Sequence, residues 1–542
     1  MVAAAKVPEV FTRKASGLVR VMSPYSAFIY NILTMGLIFP WTYLWAPGSL
    51  PGGHLVWGII LATIIEIPIA MAYVWLSTAF PRSGGDYVFQ SRVFGGGVSF
   101  AVVMSGFVIW VLQWVALSGW LLAYLGFTPL FLGLGATLHK PGLIAAGLWC
   151  TTPNGIVLIS IVNAIAALLL LVRGFRHYVR VQYYMFFAVI IAFVVMLGTL
   201  FSVTPTSFAA RLNEFVSASG GVSDFYGQAI AAAKKAGIDL HPPFSLWATL
   251  LVAPIAWTSL QWAPYSSLQN GEIKAAKSFN SQMLIIVGSL VLTGALLAVL
   301  AYALRRAVGP EFMIIAGAGY AGTLPEGTLN GVYLWPNIIA MAVTQSPLVV
   351  IAIAVGYILN AFQIVNNCYI GMTRIIMAAA MDRLLPEWLG RVSPRLHTPV
   401  NAHVAYFIAS LPVIFLYNFW PQWASLTLGV TFACGYVFVV TALAAALLPF
   451  RAPAIYKASP GARFQIGGFP LVTLVAGGGT LVGTVMILMF VFSSAFGLNT
   501  PLAREVVLGV LALTTVWYLA VKVLQRTRGI DVSFAFKEIP PE

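Results

Sequence analysis

The chain has 542 residues, of which 60% are hydrophobic and only 8% are charged, and its mean hydropathy is +0.91. This composition excludes a water-soluble enzyme and indicates a polytopic helical membrane protein. The net charge of +14 does not indicate a nucleic-acid partner, because the basic residues concentrate on one predicted side of the membrane. Cys150, Cys368 and Cys434 are too few and too scattered for a disulfide framework or a metal cluster, and no motif calls for a cofactor.

Apolar stretches of about 20 residues, the length that crosses a bilayer, recur along the whole chain. We predict about twelve spans in a single membrane domain, residues 1–542, with no soluble domain attached. The spans fall at roughly 24–46, 55–78, 99–125, 154–172, 181–203, 244–266, 281–303, 346–372, 399–418, 424–448, 470–494 and 502–523.

The distribution of basic residues predicts the orientation of these spans. With twelve spans and the amino terminus inside, most Lys and Arg residues lie in inner loops, as the positive-inside rule requires. We therefore predict a multi-pass protein of the cell membrane, surrounded by lipid, with both termini in the cytoplasm. The basic residues left on the outer side are Lys140, Arg211, Lys234, Lys235, Arg305, Arg306 and Arg504.

The first span contains Gly36 and Pro40 near its middle. Proline has no backbone N–H, so Pro40 removes the usual hydrogen-bond donor of the Gly36 carbonyl. Backbone groups freed in this way must find partners in hydrocarbon, so broken helices survive where they line a protein cavity. We predict that the first span is discontinuous at this point.

The second span contains Glu66, the only acidic residue that we place inside a span. A carboxylate in a membrane is costly and is by default functional, as a proton carrier or as the partner of a cation. A structural glutamate, protonated or hydrogen-bonded and facing the helix bundle, is the alternative.

The sixth span, within 244–274, contains Pro254, Pro264 and the run Trp257-Thr258-Ser259. The prolines should free the carbonyls of residues 250 and 260, so this span is also predicted to be broken. Matching breaks five spans apart indicate two inverted five-helix repeats with a binding site at their interface. Ordinary kinks are the alternative, because Gly and Pro are common in membrane helices.

Four segments carry recognisable motifs: FPRSGGDYVF at 80–89, RVQ at 180–182, GEIK at 271–274, and MTRIIMAAAMDRLLPEWLGRVSPRLHTPVNAH at 372–403. Together they resemble the signatures of the amino acid–polyamine–organocation (APC) superfamily of permeases, over roughly residues 20–450. The resemblance implies an all-α fold with discontinuous helices 1 and 6, and two extra C-terminal helices. The implied repeats run from about 20 to 203 and from about 244 to 448, with accessory helices at about 470–523.

The chain departs from the family pattern in three places. The unwound part of the family's sixth helix reads small–aromatic–small–Gly, whereas residues 256–259 are Ala-Trp-Thr-Ser. Gly36 is retained in the first span, but the glycine that commonly precedes it there is lost. Several proton-coupled relatives carry a lysine in the fifth helix, whereas residues 181–203 have no charge.

The two breaks predict how a zwitterion would bind. The substrate carboxylate would lie on backbone amides of Met35 to Ile38, since a helix N-terminus favours an anion. The ammonium group would lie on freed carbonyls of Ile32, Leu33 and Ala253 to Ala256. Trp257 and Met35 would shape the pocket. The complete set of predicted substrate-binding residues is Ile32, Leu33, Met35, Gly36, Leu37, Ile38, Ala253, Ile255, Ala256, Trp257, Thr258 and Ser259.

These observations predict a secondary active transporter of an amino acid or related amine that works by alternating access. The coupling candidates are Glu66, with a proton, and Asn366 and Asn367, which either help to bind a cation such as sodium or link helices. A channel or a solute sensor on the same fold is the alternative function. We predict no enzyme, because the chain has no HExxH motif, no phosphate-binding loop and no second carboxylate in a span.

Overall fold

The computed structural model describes residues 16–38, 41–325, 332–493, 496 and 501–537. Pro40, to which the first break was partly attributed, lies outside these residues. Within the described part the chain is almost entirely helical. Its only strands are β1 (Gln465–Ile466) and β2 (Phe469–Pro470), a short antiparallel hairpin between two long helices.

The first half of the chain forms helices that mostly follow the apolar stretches, because only internally hydrogen-bonded backbone is stable in hydrocarbon. Proline opens several of them at the first turn, where its missing N–H is not needed. These helices are α1 (Pro24–Met35), α2 (Thr42–Ser49), α3 (Leu55–Ala79), α4 (Gly85–Phe94), α5 (Gly96–Thr137), α6 (Pro141–Cys150), α7 (Pro153–Leu171), α8 (Phe175–Phe201), α9 (Pro205–Ala218) and α10 (Phe225–Lys235).

The second half follows the same plan, with short 3₁₀ turns at Tyr265–Glu272, Glu387–Gly390, Pro460–Arg463 and Val532–Phe536. Its helices are α11 (Leu246–Leu260), α12 (Phe279–Val308), α13 (Pro310–Tyr320), α14 (Pro336–Ala342), α15 (Pro347–Met381), α16 (Val400–Phe419), α17 (Pro421–Ser425), α18 (Thr427–Arg451), α19 (Pro453–Ala458), α20 (Leu471–Phe492) and α21 (Pro501–Thr527).

Ten helices of the described residues are long and apolar enough to cross a membrane. They correspond to the predicted second to fifth and seventh to twelfth spans. The first and sixth spans are missing from this set because each consists of shorter pieces: α1 with α2, and α11 with the 3₁₀ turn that follows it. The all-α polytopic fold is therefore confirmed, while the exact number of spans stays a prediction.

A close helix contact holds the second helix of the first span in place. Gly48 of α2 faces Gly317 of α13 so tightly that a Cβ atom on Gly48 would lie 2.2 Å from the Gly317 carbonyl carbon. Small residues at such crossings let two backbones approach each other. Among the accessory helices, α20 packs on α3, where Gly479 lies against the backbone of Pro68.

Candidate functional site

The first span is broken at Gly36, as predicted. Helix α1 ends at Met35, and Gly36 takes the left-handed conformation with φ 77° while its N–H donates to the Ile32 carbonyl. A residue without a Cβ atom adopts this conformation without steric strain. Residues 36–38 lie outside a regular helix, and the next helix of the described residues, α2, begins at Thr42.

The sixth span is also broken, but not where the sequence placed the break. Helix α11 continues through Pro254 and the run Trp257-Thr258-Ser259 to Leu260, so the prediction of an unwound segment at residues 256–259 is wrong. One missing N–H at Pro254 does not end the helix, because the neighbouring hydrogen bonds persist. The chain leaves the helix after Leu260: the Ala263 N–H donates to the Leu260 carbonyl at 3.0 Å, and a 3₁₀ turn begins at Tyr265, directly after Pro264.

Because the helix ends later than predicted, the carbonyls predicted to accept the ammonium group do not lie at a helix end. Ala253, Ile255 and Ala256 lie inside α11 and not at its end, so their carbonyls are not helix-terminal. The Ile255 carbonyl also accepts the Thr258 hydroxyl at 2.6 Å. In the first span, the Leu33 carbonyl accepts the side-chain amide of Asn360 at 3.2 Å.

Both breaks border one cavity in the bundle, with a volume of about 50 Å³. Its wall combines residues next to the first break, the end of α11 with the following turn, a stretch of α5 between two π-helical turns, and the middle of α15. The lining residues are Thr34, Met35, Trp41, Val111, Trp114, Leu117, Leu121, Thr258, Ser259, Trp262, Tyr265, Ile364, Asn367 and Cys368.

Three of the predicted substrate-binding residues line this cavity: Met35, Thr258 and Ser259. The coupling candidate Asn367 lines it as well. The other members of the predicted set lie in the surrounding protein, all of them buried: Ile32, Leu33, Gly36, Leu37, Ile38, Ala253, Ile255, Ala256 and Trp257.

Sequence reasoning missed most of the aromatic wall. No sequence motif singles out Trp41, Trp114, Trp262 or Tyr265. The apolar residues of α5 that line the cavity repeat at helical spacing, at 111, 114, 117 and 121. This pattern does not distinguish a cavity wall from a lipid-facing stripe, because both are apolar.

Asn367 connects the two breaks and α8. Its Nδ2 donates to the Thr34 hydroxyl at 2.6 Å, and its Oδ1 accepts the Tyr178 hydroxyl at 3.0 Å. Its backbone carbonyl accepts the Tyr265 hydroxyl at 3.1 Å. Asn366 instead donates to the Phe362 carbonyl of its own helix. The amide of Asn367 is therefore already engaged in joining helices.

Glu66 lies on the other side of α11 from the cavity. The indole N–H of Trp257 donates to its Oε2 at 2.5 Å, while its Oε1 has no hydrogen-bond partner among the described residues. Both side chains are buried. Trp257 packs against Gly435 of α18 on the far side. Trp257, predicted to shape the pocket, thus contacts Glu66 instead of lining the cavity.

The sequence motifs meet at one end of the bundle, which we call the motif face: residues 80–95, 265–278 and 374–403. Arg374 forms a bidentate ion pair with Glu272, with both N–O distances at 2.9 Å, and its guanidinium lies 4.9 Å from the Phe175 ring centre. Arg92 pairs with Asp382 at 3.1 Å. Buried charges of this kind require close partners of opposite charge. In both pairs the two partners come from different segments of the motif face.

A third carboxyl of the motif face, Asp86, accepts the hydroxyls of Tyr73 and Thr441. Burial raises the pKa of Asp86 to about 6, an effect that these two hydrogen bonds partly oppose.

Both ends of the described chain also reach the motif face. Met22 hydrogen-bonds through its backbone N–H to the Glu272 carbonyl at 3.0 Å and accepts the Lys274 N–H at 2.7 Å. At the other end, Arg92 donates to the Ala535 carbonyl at 3.2 Å, and the Phe536 ring packs against Gly96.

A bundle of membrane-length helices with two broken spans around a cavity is an architecture typical of membrane transporters. The comparison with protein families agrees with this class: the model described as "Amino acid permease" matches residues 25–520. The chain belongs to the amino acid permease family, within the APC superfamily.

One curated relative is uncharacterized protein 399 of Sulfolobus islandicus rod-shaped virus 1, which is 31% identical over 83 residues. The match covers 15% of this chain and 21% of the viral protein, so the chain spans about a fifth of the length of this relative.

Proposed function

We propose that this permease is a secondary active transporter that moves an amino acid or a related amine across the cell membrane by alternating access. The observation that supports this proposal is the position of both chain breaks on one cavity. Non-helical backbone at membrane depth needs polar partners, and a substrate in that cavity supplies them. A zwitterion supplies both an acceptor and a donor.

In the proposed pose the carboxylate lies at the first break, against the backbone of Met35 to Ile38. The ammonium lies at the end of α11, near Thr258 and Ser259, which face the cavity. The carbonyls of this last turn, and not those of Ala253 to Ala256, end the helix and carry its partial negative charge.

We propose that a proton carried by Glu66 couples substrate transport to the proton gradient across the membrane. Its buried carboxyl has one oxygen without a partner among the described residues, so a bound proton removes the cost of burying an uncompensated charge there. The groups that face it are Trp257 of α11 and, in electrostatic range on its own helix, Tyr73. Trp257 belongs to the broken sixth span, and this contact would transmit the protonation state of Glu66 to the substrate site.

We place the motif face in the cytoplasm, together with both termini. The motif segments contain Arg82, Arg92, Lys274 and Arg383, and basic residues stay on the cytoplasmic side. In this orientation the buried ion pairs of the motif face close the path between the cavity and the cytoplasm.

The test uses purified protein in liposomes and a panel of radiolabelled amino acids and amines, with and without a pH gradient. We expect saturable uptake of at least one amino acid, and exchange of internal for external substrate. Non-saturating current would favour a channel. The proposal would be rejected if no compound of the panel bound to the protein or was transported into the liposomes.

A further inference from the structure

Another cavity, which we call the α2–α13 cavity, lies at the end of the bundle opposite the motif face and has a volume of about 370 Å³. Helix α3 begins beside it at Leu55 and ends at Ala79, next to the motif face. Its wall combines α2, the turn between α2 and α3, the chain that leads into α11, the end of α12 and the start of α13. Ligand pockets usually measure about 300–1,000 Å³, so this cavity is large enough for a small molecule or a lipid headgroup.

The titratable side chains that line the α2–α13 cavity are all basic. They are Arg305 in the last turn of α12, His54 before α3 and His241 before α11. No carboxylate lines this cavity among the described residues. Glu311 of α13 lies outside the wall and pairs with His241 at 3.6 Å. A cleft lined by groups of one sign attracts ligands of the opposite sign, so this wall favours an anion.

Two of these side chains have donors that the protein does not use. The Arg305 guanidinium has no hydrogen-bond or ion-pair partner in the described part of the chain. The Nδ1 of His54 accepts the Trp57 N–H at 3.5 Å, so the neutral ring carries its proton on Nε2, which can donate. Burial and the nearby charge of Arg305 lower the pKa of His54, so the two side chains lie within electrostatic range of each other. An anion between them would remove this repulsion.

Exposed aromatic side chains stand next to the α2–α13 cavity. Phe244, which lines it, is 67% exposed. Trp57 and Trp247, in the first turns of α3 and α11, are 60% and 64% exposed. Tryptophan is enriched where a membrane helix passes the headgroup layer. These residues indicate that the cavity opens at the level of the lipid headgroups.

We propose that the α2–α13 cavity binds a negatively charged phosphate group, carried by an anionic phospholipid or by free phosphate. Arg305 and the Nε2–H of His54 donate to its oxygens, and such charge-assisted hydrogen bonds are strong. An occupant contacts Leu50 of α2 and Val252 of α11, together with the start of α13, and so joins pieces of both broken spans to a neighbouring helix. Binding should therefore raise the melting temperature.

The experiment is calorimetric titration of the purified, delipidated full-length protein in an uncharged detergent. The probes are dioctanoyl phosphatidylglycerol, dioctanoyl phosphatidylcholine and inorganic phosphate. We expect phosphatidylglycerol or inorganic phosphate to bind and to raise the melting temperature. Phosphatidylcholine, whose choline balances the phosphate charge, should bind at least about tenfold more weakly than the anionic ligand.

Two variants remove the proposed donors. Arg305→Gln removes the guanidinium, and His54→Asn removes the imidazole while it keeps a side-chain oxygen that can cap α3. Each should weaken binding of the anionic ligand by about tenfold. Lys235→Gln is the matched control, because it removes one positive charge from the last turn of α10, outside the cavity wall. It should bind like the wild type. If Arg305→Gln does not yield folded protein, His54→Asn decides the question alone.

The outcomes distinguish the two sources of the phosphate group. Binding of phosphatidylglycerol that depends on both donors supports a lipid site, and binding of inorganic phosphate alone with the same dependence supports a free anion. Unchanged affinity in Arg305→Gln and His54→Asn, an equal loss in Lys235→Gln, or equal affinity for phosphatidylcholine would overturn the proposal, as would binding of no probe. The uptake panel tests the transport proposal separately, so either proposal can fail without the other.

Discussion

Arg374 of α15 and Glu272 at the end of the broken sixth span form a bidentate ion pair whose side chains are almost completely buried. The pair joins two separate motifs of the chain, GEIK and the segment that begins at residue 372. It therefore fixes the end of the broken span against α15.

Removal of one partner of this pair should destabilise the protein strongly. Arg374→Met leaves Glu272 buried without its counter-ion, and breaking a buried pair costs about 3–5 kcal/mol. We expect a large fall in the melting temperature of the detergent-solubilised protein. The double variant Arg374→Met/Glu272→Met carries no unpaired charge and should recover most of the loss. A double variant as unstable as the single one would contradict this account.

Glu66→Gln should abolish the dependence of uptake on a pH gradient while leaving substrate exchange measurable. Glutamine keeps an oxygen that accepts the Trp257 N–H but cannot carry a transferable proton. The measurement is radiolabelled uptake into proteoliposomes at several inside and outside pH values. Glu214→Gln, at an exposed position of α9, is the control and should behave like the wild type. An unchanged gradient dependence in Glu66→Gln would remove Glu66 from the coupling mechanism.

Asp86 should make the protein less stable as the pH rises from about 4 to about 6. Burial raises the pKa of its carboxyl from 3.8 in the unfolded chain to about 6 in the folded one. The folded state therefore holds the proton more tightly, and this favourable difference is fully present below pH 3.8 and lost once the pH exceeds about 6. The change is about 3 kcal/mol.

The corresponding test compares melting temperatures at pH 5 and pH 7.5. Asp86→Asn should show a smaller difference between the two values than the wild type, because asparagine does not titrate. Asp239→Asn, at an exposed position, should keep the wild-type difference. A wild-type protein that is equally stable at both pH values, with Asp86→Asn no different, would contradict the prediction.

Gly48→Ala should destabilise the protein through the contact between α2 and α13. The new methyl group would overlap backbone atoms of Gly317 and Ala318, which cannot move away like a flexible side chain. Overpacking of this kind costs about 1–3 kcal/mol. Gly198→Ala, in α8 with open space at its Cβ position, should be neutral or stabilising. Thermal unfolding of both variants measures the difference, and equal melting temperatures would argue against a tight crossing.

The sequence predicted the structure best where a single physical rule decides the outcome. Length and hydropathy predicted the membrane helices, and Gly36 with Pro40 predicted the first break, where Gly36 adopts the left-handed conformation. The sixth span offered two prolines, and the sequence alone did not show that the helix tolerates Pro254 and ends before Pro264. The residues of the cavity wall could not be predicted from the sequence. Trp41, Trp114 and Trp262 have the same apolar character whether they face lipid, protein or a cavity.

The contact between Arg92 and the Ala535 carbonyl joins residues 443 positions apart in the chain. During synthesis, α4 and its arginine enter the bundle long before the segment of Phe536 leaves the ribosome. The motif face is consequently assembled in two stages, and its final packing against Gly96 forms only after the last membrane helix has been inserted.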